Sequence, residues 1–194
     1  SSMDHLRAGL LYCRPMKPII HPSVMMRREV VVRLGGYRHF TAAEDRDFWL
    51  RALDHYRFDR LSQKLLDYRI HLGGVSRENS SRQSVSSAMA VVNWLVRQQT
   101  SVDLLQDRPA LFITVTEYLR NRIDNEIMPA TLAFQKARSD LRARRHIAGI
   151  RRLVMAIVRH GSITLPNSSL KATRKIIEAT TAHACCILTK EKEA

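Results

Sequence analysis

Cysteine is scarce in this chain: three among 194 residues, at Cys13, Cys185 and Cys186. That excludes a disulfide framework and suits a reducing compartment. Seven glycines and six prolines are too few for a collagen-like or linker-like chain. No apolar run approaches the roughly 20 uncharged residues of a spanning helix, which excludes a polytopic membrane protein. No basic-then-apolar leader opens the chain, so a cytoplasmic location is expected. Acid is in deficit, with 18 Asp and Glu against 32 Lys and Arg, a formal charge of +14. Such a surplus draws polyanions: nucleic acid, anionic lipid headgroups or sugar nucleotides. Its densest stretch runs from Arg138 to Arg159 and contains Arg142, Arg144, Arg145, Arg151 and Arg152.

What remains is room for one good-sized domain or two small ones. Organisation changes at Arg77–Ser87, a polar, Ser-rich joint. Before it, short apolar runs are punctuated by Gly and Pro; after it, the pattern is long, Gly-poor and helical in period. In the first part, Pro18–Met26 reads as a strand or an extended segment, and Arg27–Leu34 as a short helix ended by Gly35 and Gly36. Thr41 and Glu44 have capping-box spacing, and Phe48, Trp49, Ala52 and Leu53 follow at helical spacing. A helix is expected from Ala42 to about His55. Arg57–Leu61 and Lys64–His71 read as two short strands. In the second part, Ser84–Gln99, Pro109–Ile127, Leu132–His160 and Leu170–Leu188 read as helices, with Pro129 starting or kinking the third. The expected fold is therefore a partial α/β piece over 1–78 and an all-α basic extension over 79–194, mostly helical as a whole.

Four fragments stand in order within 56 residues, from His21 to Ser76: HPSVMMRR, LGGYR, AEDRDFWLRA and LLDYRIHLGGVS. In that order they resemble the C-terminal, acceptor-side half of a family-2 glycosyltransferase catalytic domain, which has the GT-A fold. The resemblance implies transfer of a sugar from a nucleotide-sugar donor to a glycan or lipid-linked acceptor hydroxyl. It puts Ala43-Glu44-Asp45 in the place of the family's xED motif, with Asp45 as general base. Gly35, Gly36 and Tyr37 fall on a loop near donor and acceptor. His71 falls where a histidine often completes a site for Mg²⁺ or Mn²⁺, and Trp49 is a candidate for stacking on the acceptor.

Residue chemistry is compatible with that assignment. A sugar hydroxyl is a poor nucleophile at neutral pH, so a positioned base must take its proton. A carboxylate in the first turn of a helix is kept ionised by the N-terminal amides. Asp45-Arg46-Asp47 spells D-x-D, but it follows Thr41-Ala42-Ala43-Glu44 instead of a buried strand and is not expected to be the donor-metal motif. The family's nucleotide-sugar half, which carries that motif, precedes this region, and only 20 residues precede His21 here. The chain by itself is therefore expected to be inactive.

Plainer readings stand beside these. Glu44 fits as a capping-box partner of Thr41, Asp45 as a simple first-turn carboxylate, Trp49 as core, and His21 as structural. The adjacent Cys185 and Cys186 fit as buried small hydrophobes. Along Leu132–His160, the residues Leu141, Ile147, Ile150, Leu153, Val154, Ile157 and Val158 form an apolar stripe flanked by arginine. It either packs on other helices or lies on an anionic membrane surface, with residues 138–160 in peripheral contact. The alternative to a transferase is a non-catalytic basic module binding such a surface or an acidic partner. Nucleic-acid binding lacks an aromatic-interleaved basic stripe.

Overall fold

The structure is a computed structural model that describes residues 9–11, 19–40, 42–67, 80–143, 145–160 and 166–193. Its helices are α1 (Arg28–Arg33), α2 (Glu44–Leu53), α3 (Ser80–Thr100), α4 (Leu104–Asp107), α5 (Pro109–Arg122), α6 (Met128–Arg142), α7 (His146–His160) and α8 (Pro166–Glu193). A 3₁₀ turn spans His21–Ser23, and one π turn, Ile123–Ile127, joins α5 to α6.

The molecule is mostly helical, as expected, but the α/β piece is not found: among the described residues there is no strand. The backbone is extended at Ile20, Val24 and Arg27, and 56–61 and 64–67 are irregular. Extended conformation alone makes no sheet, because each strand needs a neighbour for its backbone groups. The end of the second expected strand, 68–71, and the expected boundary at 78/79 lie outside the described residues.

Helix α3 is central. Val85, Ala88, Met89, Val92 and Val96 are buried along it, and α2, α5 and α8 pack around it. From α8 come Ile176, Ile177, Ala184 and Leu188; from α5, Val115 and Leu119; from α2, Phe48, Trp49 and Leu50, all in one apolar cluster. The cluster thus contains residues from both sides of the Ser-rich joint. Cys185 joins its edge, whereas Cys186 is exposed, contrary to the expectation that both are buried.

Proline explains the π turn. Pro129 has no N–H to give to the preceding turn and crowds the carbonyl behind it, and a widened turn directly before it absorbs the mismatch. The expected unbroken helix Leu132–His160 is instead two. The Arg145 amide bonds back five residues to the Asp140 carbonyl at 2.9 Å, which closes α6, and α7 then folds back onto it. Gly149 lets the two approach: a Cβ there would lie 2.7 Å from Leu141 Cγ. Asp140 is buried at this junction and ion-paired to Arg145 at 2.9 Å and Arg152 at 2.7 Å.

Candidate functional site

Helix α1 ends in a bend that only glycine makes without strain. Gly35 and Gly36 have φ of +70° and +69°, where a Cβ would be penalised. Their amides bond to the Val32 and Val31 carbonyls at 3.1 and 2.9 Å. Arg51, on α2, fastens the bend from outside by donating to the carbonyls of Leu34 and of Gly36, the latter at 2.7 Å. The bend so held delivers Tyr37 to the start of α2. Its ring packs on Phe48 with centroids 5.0 Å apart, and its hydroxyl lies 2.9 Å from His21 Nε2. The His21 ring in turn stands edge-on to Trp49 at 6.0 Å.

The first turn of α2 carries Glu44, Asp45 and Asp47, and burial separates their roles. Asp47 is 3% exposed. Arg38 grips both its oxygens, with Nε at 2.9 Å from Oδ2, and Arg51 Nε reaches Oδ2 at 3.0 Å. Asp45 is half-buried. Its Oδ1 accepts the Arg46 amide at 2.7 Å, and neither it nor Glu44 makes an ion pair among the described residues. Tyr37 registers both: burial first, then the charges of Asp45 and Glu44, push its phenol above the ordinary value. Two carboxylates without an ion-pair partner among the described residues therefore act on a half-exposed phenol, which is itself hydrogen-bonded to an imidazole.

The polar network continues inward. Arg38 also donates to Asp103 at 2.8 Å. Asp103 accepts from Asn93 at 3.1 Å and Arg97 at 3.3 Å, and it caps α4 through the amides of Leu105 and Gln106. Asp54, just past the end of α2, accepts from the Trp94 indole at 3.0 Å and Arg97 at 2.7 Å. These bonds fix α2, and so Asp45, against α3.

Tyr37 is thus brought to Glu44 and Asp45 at the start of α2, while Gly36 is held by Arg51 further along it and Trp49 lies on the same helix. His71 lies outside the described residues, as does Thr41, the expected capping partner of Glu44. The helix starts at Glu44, two residues later than expected, with Ala43 as N-cap and no side-chain cap bond. Trp49 is 2% exposed and lies edge-on to Phe48 and Phe58, so its ring is core here. Its buried Nε1 has no partner among the described residues.

Sequence reasoning did not assign the Arg38–Asp47–Arg51 clamp, although the i,i+4 spacing of Asp47 and Arg51 is a readable sign. His21, read as structural, proves to be a hydrogen-bond partner of Tyr37. As for a metal, no group of three His, Cys, Asp or Glu side chains among the described residues is placed to hold one. Asp47, with a guanidinium on each oxygen, is unfit as a cation ligand. The described residues do not make the divalent site that the resemblance implies.

The arrangement can accept a proton at Asp45 and donate or accept hydrogen bonds at Tyr37 and His21, which suits a hydroxyl-bearing ligand. One relative, the O-antigen biosynthesis glycosyltransferase WbnJ of Escherichia coli, is 43% identical to this chain over 54 residues. The stretch is 26% of this chain and 21% of the relative, so the chain spans about a fifth of that protein's length. No family model matches, and neither does any solved structure. The likeness is to a glycosyltransferase, over that stretch alone. It does not reach the finer assignment to family 2 or to the GT-A fold.

Proposed function

We propose that this chain carries the acceptor side of a family-2 glycosyltransferase, with Asp45 as the general base. One observation carries the reading: Asp45 is a half-buried carboxylate at a helix N-terminus, free of ion pairs among the described residues, whose charge acts on the phenol of Tyr37, itself hydrogen-bonded to His21. Attack of an acceptor hydroxyl on the anomeric carbon forms the new glycosidic bond as the bond to the nucleoside diphosphate breaks. The hydroxyl proton passes to Asp45 as the oxygen becomes nucleophilic. The amide of Arg46, donating to Oδ1 at 2.7 Å, fixes the direction of the Asp45 carboxylate. Tyr37 and His21 hold the acceptor's neighbouring hydroxyls, and Glu44 adds a second acceptor at the rim.

The partial likeness to an O-antigen glycosyltransferase supports a cell-surface glycan as product, and a cytoplasmic location goes with a nucleotide-sugar donor. A divalent cation, if used, takes its ligands from residues other than those described, His71 among them.

The test is Asp45→Asn in the protein as its gene encodes it, assayed for transfer from nucleotide sugars to glycan acceptors. Turnover should fall by about 10³-fold or more, in line with loss of a general base, with donor binding retained. Wild-type turnover in the variant overturns the assignment.

A further inference from the structure

Helix α7 leaves four large apolar residues in solvent. Ile147, Ile150 and Val154, at i, i+3 and i+7, are 86, 56 and 52% exposed, and Met155 beside them is 54% exposed. Turned inward on the same helix are Gly149, which lies against Leu141, the half-buried Leu153 and the buried Ala156. The helix packs chiefly on α6. A helix whose apolar stripe served only the protein's own core would face the other way.

Charge accompanies the stripe. Between Leu141 and His160 there are six arginines and no acidic residue. Arg142 and Arg151 are exposed, and Arg145 and Arg152 keep more than half their side-chain surface in solvent while pairing with Asp140. We infer that α7 is a docking surface for an anionic lipid bilayer, lying in the plane of the headgroups. Its isoleucines and valine enter the acyl boundary, and its arginines meet lipid phosphates.

Other occupants fit less well. A second copy of this chain would bring six more arginines against these. Nucleic acid gains nothing from exposed isoleucine and stacks best on large aromatic rings, and α7 has no Phe, Tyr or Trp. Among the described residues no helix is long and apolar enough to cross a membrane, so contact through α7 is peripheral. The inference does not depend on the sugar-transfer reading.

The chain should co-sediment with vesicles of phosphatidylcholine and phosphatidylglycerol, and about tenfold less with phosphatidylcholine alone. Binding should weaken, without vanishing, between about 0.1 M and about 1 M salt, because the Debye length shrinks from about 10 to about 3 Å. The double variant Ile147→Ser, Val154→Ser should lose about tenfold in partitioning. Both positions are exposed, and circular dichroism checks that the helices remain. Ile113→Ser, an equally exposed aliphatic site on α5, should leave binding unchanged.

Four results would overturn the inference: no sedimentation, equal sedimentation with neutral vesicles, an unaffected double variant, or an equal loss in Ile113→Ser. So would self-association, seen by ultracentrifugation, that the double variant abolishes; it would assign the face to a second copy instead.

Discussion

At the residue scale, two aspartates two positions apart are set to opposite tasks by burial. Asp47 holds two guanidinium groups in a nearly dry place. Taking away its charge leaves the buried Arg51 without a carboxylate partner, while Arg38 keeps Asp103, and breaking such a buried pair costs about 3–5 kcal/mol. Arg51 feels this tension already: burial, and the neighbouring Arg38 cation, lower its pKa, while Asp47 alone raises it. Asp45 has no such partner, so Asp45→Asn should move the unfolding free energy by less than about 1 kcal/mol. Urea unfolding of the two variants should therefore diverge sharply, with Asp47→Asn near the limit of folding and Asp45→Asn close to the parent. Equal destabilisation would mean that Asp45 is as structural as its neighbour. The D-x-D spelling itself gave no hint of this division, because the partners of Asp47, Arg38 and Arg51, lie outside those three residues. The glycine bend, by contrast, was legible at once, since a Gly-Gly pair after a short amphipathic run has little else to do.

At the scale of elements, helices with uninterrupted periodicity were readable to within a few residues. The Ala42–His55 expectation became Glu44–Leu53, and Ser84–Gln99 became Ser80–Thr100. What failed were the features that depend on neighbours. Over their described residues, 57–61 and 64–67, the expected strands found no partners, and extended backbone without a ladder is only a linker. The turn between α6 and α7 escaped notice because Ala143-Arg144-Arg145 contains no Gly or Pro and the apolar pattern runs straight through it. The cause lies in tertiary contacts: Asp140 gathers Arg145 and Arg152, and Gly149 seats the returning helix on Leu141. Gly149→Val should therefore loosen the hairpin, with an overpacking cost of about 1–3 kcal/mol. Hydrogen exchange would show faster amides in α6 and α7 while α3 and α8 keep their protection. Unchanged exchange would mean that the two helices are not in the contact described.

At the scale of the whole molecule, the buried charge network ties the glycine bend and α2 to the helices that follow the Ser-rich joint, and Asp103 is its hub. Burial alone would raise the Asp103 pKa, but hydrogen bonds from Arg38 and Asn93, the Arg38 charge and the Gln106 amide together bring it below the ordinary value. A carboxylate depressed in the folded state binds its proton more readily when unfolded. Its contribution is thus fully present above the unfolded value of about 3.9, and it drains away as pH falls through the lower folded value. The urea midpoint should accordingly hold near neutrality and drop on the acid side, below about pH 4. In Asp103→Asn the midpoint should start lower at neutral pH, and the acid-side decline should be shallower, because the titrating group is gone. A variant that keeps the parent's acid profile would show that Asp103 is not the group through which acid separates the site from its helical support.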